Sequence, residues 1–215
     1  MDALERYIHE LSEPEDALLH ELDRQTNLHA IQPRMISGHI QGLLLRMIVR
    51  MLRPQAVLEI GTFTGYSALC LASGLEGAGT VDTIEVDDEL QREAQEFFDR
   101  SEWGNRIRLH IGSALDIAPK LGKRFDLVYI DGDKREYPQY YRMLMGDDGG
   151  PALVGSGSVL LADNILWYGK VVQPVAHNDR HTQAILEFNR MVRDDPRVEN
   201  MILPLRDGIN IIRVK

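Results

Sequence analysis

The sequence carries a single cysteine, Cys70, among 215 residues. One thiol cannot close an internal disulfide, so the core alone has to hold the fold, and a reducing, cytoplasmic setting is expected. No apolar run approaches the ~18 residues of a membrane-spanning helix, and no charged-then-apolar stretch follows Met1, so neither membrane insertion nor secretion is expected. Bases are in the minority: 24 Lys and Arg stand against 33 Asp and Glu, a net charge of −9. A protein that tracks phosphates along nucleic acid shows the opposite balance, which leaves small molecules and cations as expected partners. Repeats and low-complexity segments are also lacking. At 44% hydrophobic and 27% charged residues, the chain has the composition of a folded protein and not of a disordered one.

The first 53 residues read as helices. Leu4, Ile8 and Leu11, then Leu18, Leu19 and Leu22, recur at steps of three and four with a break at Pro14. Residues 37–52 form a longer apolar helix bracketed by Pro33 and Pro54. Beyond Pro54 the texture changes. Five runs, 56–60, 80–86, 106–111, 125–130 and 158–162, are nearly continuously apolar, as strands covered on both faces of a parallel sheet are. Helical stretches at 66–73, 88–100, 114–120 and 137–145 separate them, and this alternation predicts a doubly wound, Rossmann-like α/β sheet. Near the end, residues 198–205 and 209–214 flank Arg206-Asp207-Gly208 and predict a hairpin that adds an antiparallel pair at a sheet edge. The glycine-rich stretch 146–157 reads as a loop, so one domain over 1–215 is expected, with helices in 1–53 and the α/β core in 54–215.

Open α/β sheets bind ligands outside the carboxyl ends of their strands. Four of the five ends carry a carboxylate here: Glu59, Glu85, Asp131 and Asp163. Gly61 and Gly65 follow the first strand four residues apart, which is not the G-x-G-x-x-G of a dinucleotide site. Glu59 would repel a diphosphate and attract an ammonium or sulfonium group. The same turn also reads as a tight strand-to-helix connection. Glu85, 24 residues after Gly61, can accept both hydroxyls of a ribose, although acids commonly flank strand ends. Taken together, the turn and the acid suggest a nucleoside without a diphosphate, for which S-adenosylmethionine is the obvious ligand. Asp131 and the pair Asp163-Asn164 close consecutive strands and offer three hard oxygen ligands, suited to Mg²⁺, Ca²⁺ or Mn²⁺. Each of the three also fits an Asx turn. Lys134 is a candidate general base if it lines that pocket, and a solvated loop lysine if it does not.

The stretches VLEIGTFTGYS, IEVDDE, YIDGDKREY and LLADNILWYGKV together resemble the cation-dependent class I O-methyltransferases, which include caffeoyl-CoA and catechol O-methyltransferases and their bacterial relatives. The resemblance runs from about Met35 to Lys215, and its most specific part is D-x-D-K followed by D-N-x-L-W. It implies a seven-stranded methyltransferase sheet with an antiparallel last strand, S-adenosylmethionine as methyl donor, a divalent cation with Mg²⁺ first, a small-molecule phenolic acceptor and a homodimer. By position, it implies that Glu59, Gly61, Thr62 and Ser67 surround the methionine part of the donor. Glu85 would take the ribose, Ala114 the adenine, Ser37 a further donor contact, and Asp131 would serve donor and cation alike. Asp131, Asp163 and Asn164 would ligate the cation, Lys134 would act as base, and Trp167 would lie near the acceptor ring. The family's S-A-D-E-G-Q stretch reads Ser37-Gly38-His39-Ile40-Gln41-Gly42 here, so its acids are absent. No match to the plant acyl-CoA determinants is found, which favours a small catechol over a CoA thioester.

The expected chemistry follows. A catechol chelates the cation, Lys134 accepts or relays a hydroxyl proton, and the oxygen attacks the sulfonium methyl in line. Trp167 and Tyr168 are expected to form an aromatic wall, with residues 171–180 as a lid. A nucleoside-binding module without catalysis is the rival reading. The glycine pattern and Glu59 argue against a nicotinamide dehydrogenase, and the charge balance argues against an RNA methyltransferase. His177 and His181 lack a recognisable third ligand and read as surface residues, not as a zinc site.

Overall fold

The computed structural model describes residues 3–215. Helix α1 (Ala3–Leu11) buries none of its residues, whereas α2 (Ala17–His29) buries Leu19 and Leu22 and is capped by Asp16, which accepts from Leu18 N and Leu19 N. Helix α3 (His39–Leu52) starts two residues later than its apolar pattern suggests, because Gly38 sits at φ 75°, outside any right-handed helix.

Seven strands follow: β1 (Ala56–Ile60), β2 (Thr80–Glu85), β3 (Ile107–Ile111), β4 (Leu127–Ile130), β5 (Val159–Ala162), β6 (Val198–Leu203) and β7 (Ile209–Val214). Their order is β3-β2-β1-β4-β5-β7-β6. β1 to β5 are parallel, and β7 runs antiparallel between β5 and β6. The expected hairpin is thus present and sits at the sheet edge. β1 pairs with β2 on one side and β4 on the other, which makes the β1/β4 crevice the switch point where such sheets bind ligands.

Helices α4 (Tyr66–Gly74) and α5 (Gln91–Arg100) pack with α2 and α3 on one face, in a core around Leu45, Val57, Leu69 and Phe98. Helices α6 (Ala114–Ile117), α7 (Tyr137–Met145) and α8 (Arg180–Asp194) cover the other, around Leu58, Val128, Tyr141 and Phe188. Coverage on both faces fails at the two edges. β3 is only partly buried and β6 exposes four consecutive residues, because an edge strand has a neighbour on one side only. The helix expected at 114–120 divides into α6 and a 3₁₀ turn over Ala118–Leu121, where Pro119 withholds an N–H. Helix α8 has no counterpart among the expected elements, although Ile185, Phe188 and Val192 carry a helical spacing and are buried.

Candidate active site

The turn after β1 is built by two glycines whose φ values are 99° and 94°. A Cβ on Gly61 would stand 2.6 Å from the Asp131 carbonyl oxygen, and one on Gly65 would stand 2.6 Å from the Phe98 ring. Both residues therefore let protein approach protein. Gly61 holds the turn against the end of β4, and Gly65 seats α4 over α5.

Glu59 is completely buried in β1. Its Oε2 accepts from Thr83 Oγ1 at 2.5 Å, and Thr83 Oγ1 meets Thr62 Oγ1 at 2.5 Å. Its Oε1 has no hydrogen-bond partner. Burial pushes the Glu59 carboxyl up to about 8, against hydrogen bonds from Thr83 and Ser67. The negative charge expected at Glu59 is therefore suppressed at neutral pH until a cation faces the group. Glu85, at the end of β2, accepts from Thr62 N (3.1 Å) and Phe63 N (2.7 Å) through Oε2 and from Asp87 N (3.0 Å) through Oε1. Those bonds fix its carboxylate above the glycine turn, fill both lone pairs of Oε2 and leave one free on Oε1. Ala114, buried, opens α6 just past the end of β3.

β4 and β5 bring the second group together. Ile130 pairs with Ala162, so Asp131 and Asp163 leave the sheet side by side. Lys134 Nζ donates to Asp131 Oδ1 at 2.6 Å and to the Gly132 carbonyl at 3.2 Å, and lies 5.0 Å from the Tyr137 ring centroid. It is not a solvated loop lysine. Burial pushes Asp131 up to about 7; the Lys134 ammonium opposes the rise and the Asp163 charge adds to it. Asp163 accepts from Gln41 Nε2 (2.6 Å) and Tyr129 OH (2.9 Å) through Oδ2, and from Asn164 N (2.7 Å) through Oδ1. Asn164 adopts φ 59°, a left-handed conformation that Asn tolerates.

Among the described residues no three His, Cys, Asp or Glu side chains converge as a metal site; the expected set has two carboxylates and an amide. That donor chemistry fits a hard divalent cation. Two acids pressed together under burial, one of them driven toward its neutral form, are what such an ion would relieve.

The sequence of residues 9–215 matches the family model described as O-methyltransferase. A caffeoyl-CoA O-methyltransferase from Petroselinum crispum is 30% identical over 227 residues, covering 99% of this chain and 90% of its own length. The chain belongs to the O-methyltransferase family. Its fold is that of an O-methyltransferase from Bacillus cereus in complex with SAH (TM-score 0.88, 28% identity, 99% of this chain and 97% of that one). An O-methyltransferase from Streptomyces achromogenes involved in tomaymycin synthesis, in complex with SAM, is similarly close (TM-score 0.89, 28% identity, 100% of each chain).

In this O-methyltransferase the loop after β5 is strained. Asn164, Trp167 and Tyr168 all have positive φ, and the turn of Trp167–Val172 is held by Tyr168 N donating to Asp207 Oδ1 at 2.7 Å. Trp167 is half-buried and stacks on His181 of α8 with ring centroids 5.8 Å apart, while Tyr168 is exposed. The two aromatics expected as a wall lie together on this loop, with ring centroids 5.5 Å apart, and His181 backs Trp167. Residues 173–179 are irregular and tied to α8 by Gln183 Nε2, which donates to the Ala176 and His177 carbonyls.

The sequence reading missed Gln41, Tyr129 and Asp207 of this O-methyltransferase. Gln41 carried a usable signal, a polar residue on the apolar face of α3. Tyr129 looked like ordinary strand filling, and Asp207 like a turn residue.

Proposed function

We propose that the chain is an S-adenosylmethionine-dependent, divalent-cation-dependent O-methyltransferase that methylates one hydroxyl of a catechol or vicinal diol. The observation that carries the reading is the meeting of Lys134 and Asp131 with Asp163 and Asn164 at neighbouring strand ends, beside the glycine turn. The SAH- and SAM-bound relatives of the same fold support the donor.

Glu59 and Ser67 would face the positively charged methionine end of the donor, with Gly61 and Thr62 lining the turn beneath it. Ser37 would add a hydroxyl, Glu85 would accept the ribose hydroxyls, and Ala114 would meet the adenine. Asp131, Asp163 and Asn164 would hold the cation, which when bound supplies Lewis-acid polarisation of the acceptor hydroxyl. Lys134 Nζ, once it has given up to solvent the proton of its ion pair with Asp131, would take or relay the hydroxyl proton, and Asp131 Oδ1 would hold the resulting ammonium. The oxygen lone pair forms the new C–O bond as the C–S bond breaks, its electron pair staying on sulfur as a neutral thioether. Trp167 would fix the ring, and in-line positioning of the three atoms can supply ~7–11 kcal/mol of the barrier.

The reading extends to a homodimer in a reducing cytoplasm. Its supports are the apolar residues that α1 leaves exposed, Leu4, Tyr7, Ile8 and Leu11, and the lone buried thiol of Cys70. Sedimentation of wild type and of Ile8→Glu/Leu11→Glu should give a dimer and a monomer; a wild-type monomer contradicts the dimer.

Catechol methylation by Lys134→Ala and Asp163→Ala tests the function. Both should fall by at least ~10²-fold. Undiminished activity in both would overturn the cation-and-base reading, and a wild type that binds S-adenosylmethionine but methylates no hydroxyl would favour a binding module.

A further inference from the structure

Gln41 lies in the first turn of α3, and its side chain is almost completely buried. Its Nε2 donates to two acceptors, Tyr129 OH at 2.8 Å and Asp163 Oδ2 at 2.6 Å. The Tyr129 hydroxyl in turn donates to the same Asp163 oxygen at 2.9 Å, closing a triangle. Ser37 is a further hydrogen-bond partner of that hydroxyl. A phenolic hydroxyl has one proton and two lone pairs. Here the proton goes to Asp163 and the lone pairs to Gln41 and Ser37, so none of its capacity is spare.

We propose that Gln41 is a positioning residue for the cation site: with Tyr129 it fixes the Asp163 carboxylate so that Oδ1 faces Asp131 and Asn164. This inference rests on the cation-dependent reading above. The physical reason lies in what surrounds Asp163. A buried carboxylate keeps its orientation only if its lone pairs are engaged, and Oδ2 takes both of its donors from this triangle. Strand β5 supplies the backbone but not the rotamer. Helix α3 supplies the amide that sets the rotamer, and the same segment carries Ser37, so the donor side and the cation side share one hydrogen-bonded frame through Tyr129. A carboxylate at position 41 would lack a proton to donate and would repel Asp163, whereas the neutral amide brings two N–H groups. Partners of metal ligands of this kind typically alter metal affinity by 10–100-fold when removed.

Mn²⁺ and SAH binding, each measured by calorimetry on the wild type, Gln41→Met and Tyr129→Phe, test this. Methionine keeps the volume of the glutamine and removes its donors; phenylalanine removes only the hydroxyl. Gln41→Met should weaken Mn²⁺ binding by about tenfold or more and leave SAH affinity within about twofold. Tyr129→Phe, which also frees Ser37, should weaken both. Equal Mn²⁺ affinity in all three proteins would overturn the positioning role and leave the cation reading intact. A wild type that binds no Mn²⁺ would overturn both. Should Gln41→Met not fold, Tyr129→Phe decides alone: unchanged Mn²⁺ affinity overturns the proposal.

Discussion

Lys134 Nζ donates to Asp131 Oδ1 across 2.6 Å, three residues apart and just past the end of β4. The pair joins the group proposed to take the hydroxyl proton with the group proposed to serve donor and cation. It also explains how a lysine on a loop comes to be largely buried: its charge is met by a carboxylate that burial would otherwise neutralise.

Replacing Lys134 by arginine separates charge from proton transfer. A guanidinium can keep the ion pair with Asp131 but does not give up its proton near neutrality. Lys134→Arg should therefore melt close to the wild type while kcat falls by about 10²–10⁴. Steady-state kinetics with a melting curve checks this, and a kcat within threefold of wild type would remove Lys134 from the chemistry.

Glu59 gives the empty protein a pH dependence of known sign. Its carboxyl ionises near 4.5 when unfolded and at about 8 when folded, so the folded state holds the extra proton between these values. The stabilisation is complete below about 4.5 and is lost as pH rises to about 8. Glu59→Gln should flatten that part of the stability profile, read by denaturant unfolding from pH 5 to 8.5. A cationic donor favours the ionised form, so S-adenosylmethionine binding at pH 7 should release a proton in the wild type and less in Glu59→Gln. Calorimetry in buffers of different ionisation enthalpy measures this directly.

The strand ends and the first turn were legible in the sequence because their signals are local. β1 and α7 occupy the expected residues, since an apolar run or helical spacing bounded by Gly, Asp or Pro marks its own limits. Glu59, Glu85, Asp131 and Asp163 likewise fell at strand ends, where the topology brings them together. What was not legible is non-local. Gln41 and Tyr129 are 88 residues apart in the chain, and nothing in either segment announces the other. Asp207 acts on Tyr168 only because the β6–β7 hairpin folds back over the loop after β5. Burial also altered what the acids do: sequence shows a carboxylate, and only the surroundings show that Glu59 holds its proton.

Gly61→Ala should cost at least ~3 kcal/mol, combining a left-handed backbone with a methyl group driven into the Asp131 carbonyl. Gly77→Ala is the control: its φ is also positive, but open space surrounds it, and about 1 kcal/mol is expected. Chemical denaturation of both variants checks the difference. Equal costs would show that close approach to β4 is not what requires Gly61.

Trp167→Ala should raise KM for a catechol by about tenfold and change kcat by less than threefold, as expected for lost binding area rather than lost chemistry. His181→Ala, which removes the stacked support, should show a weaker form of the same effect. Unchanged KM in Trp167→Ala would place the acceptor elsewhere.

Methyl transfer from S-adenosylmethionine to a panel of catechols, with EDTA and then with excess Mg²⁺, tests the central claim most directly. The expected result is methylation of at least one vicinal diol, abolished by EDTA and restored by the added cation. Activity that survives complete chelation would contradict the account.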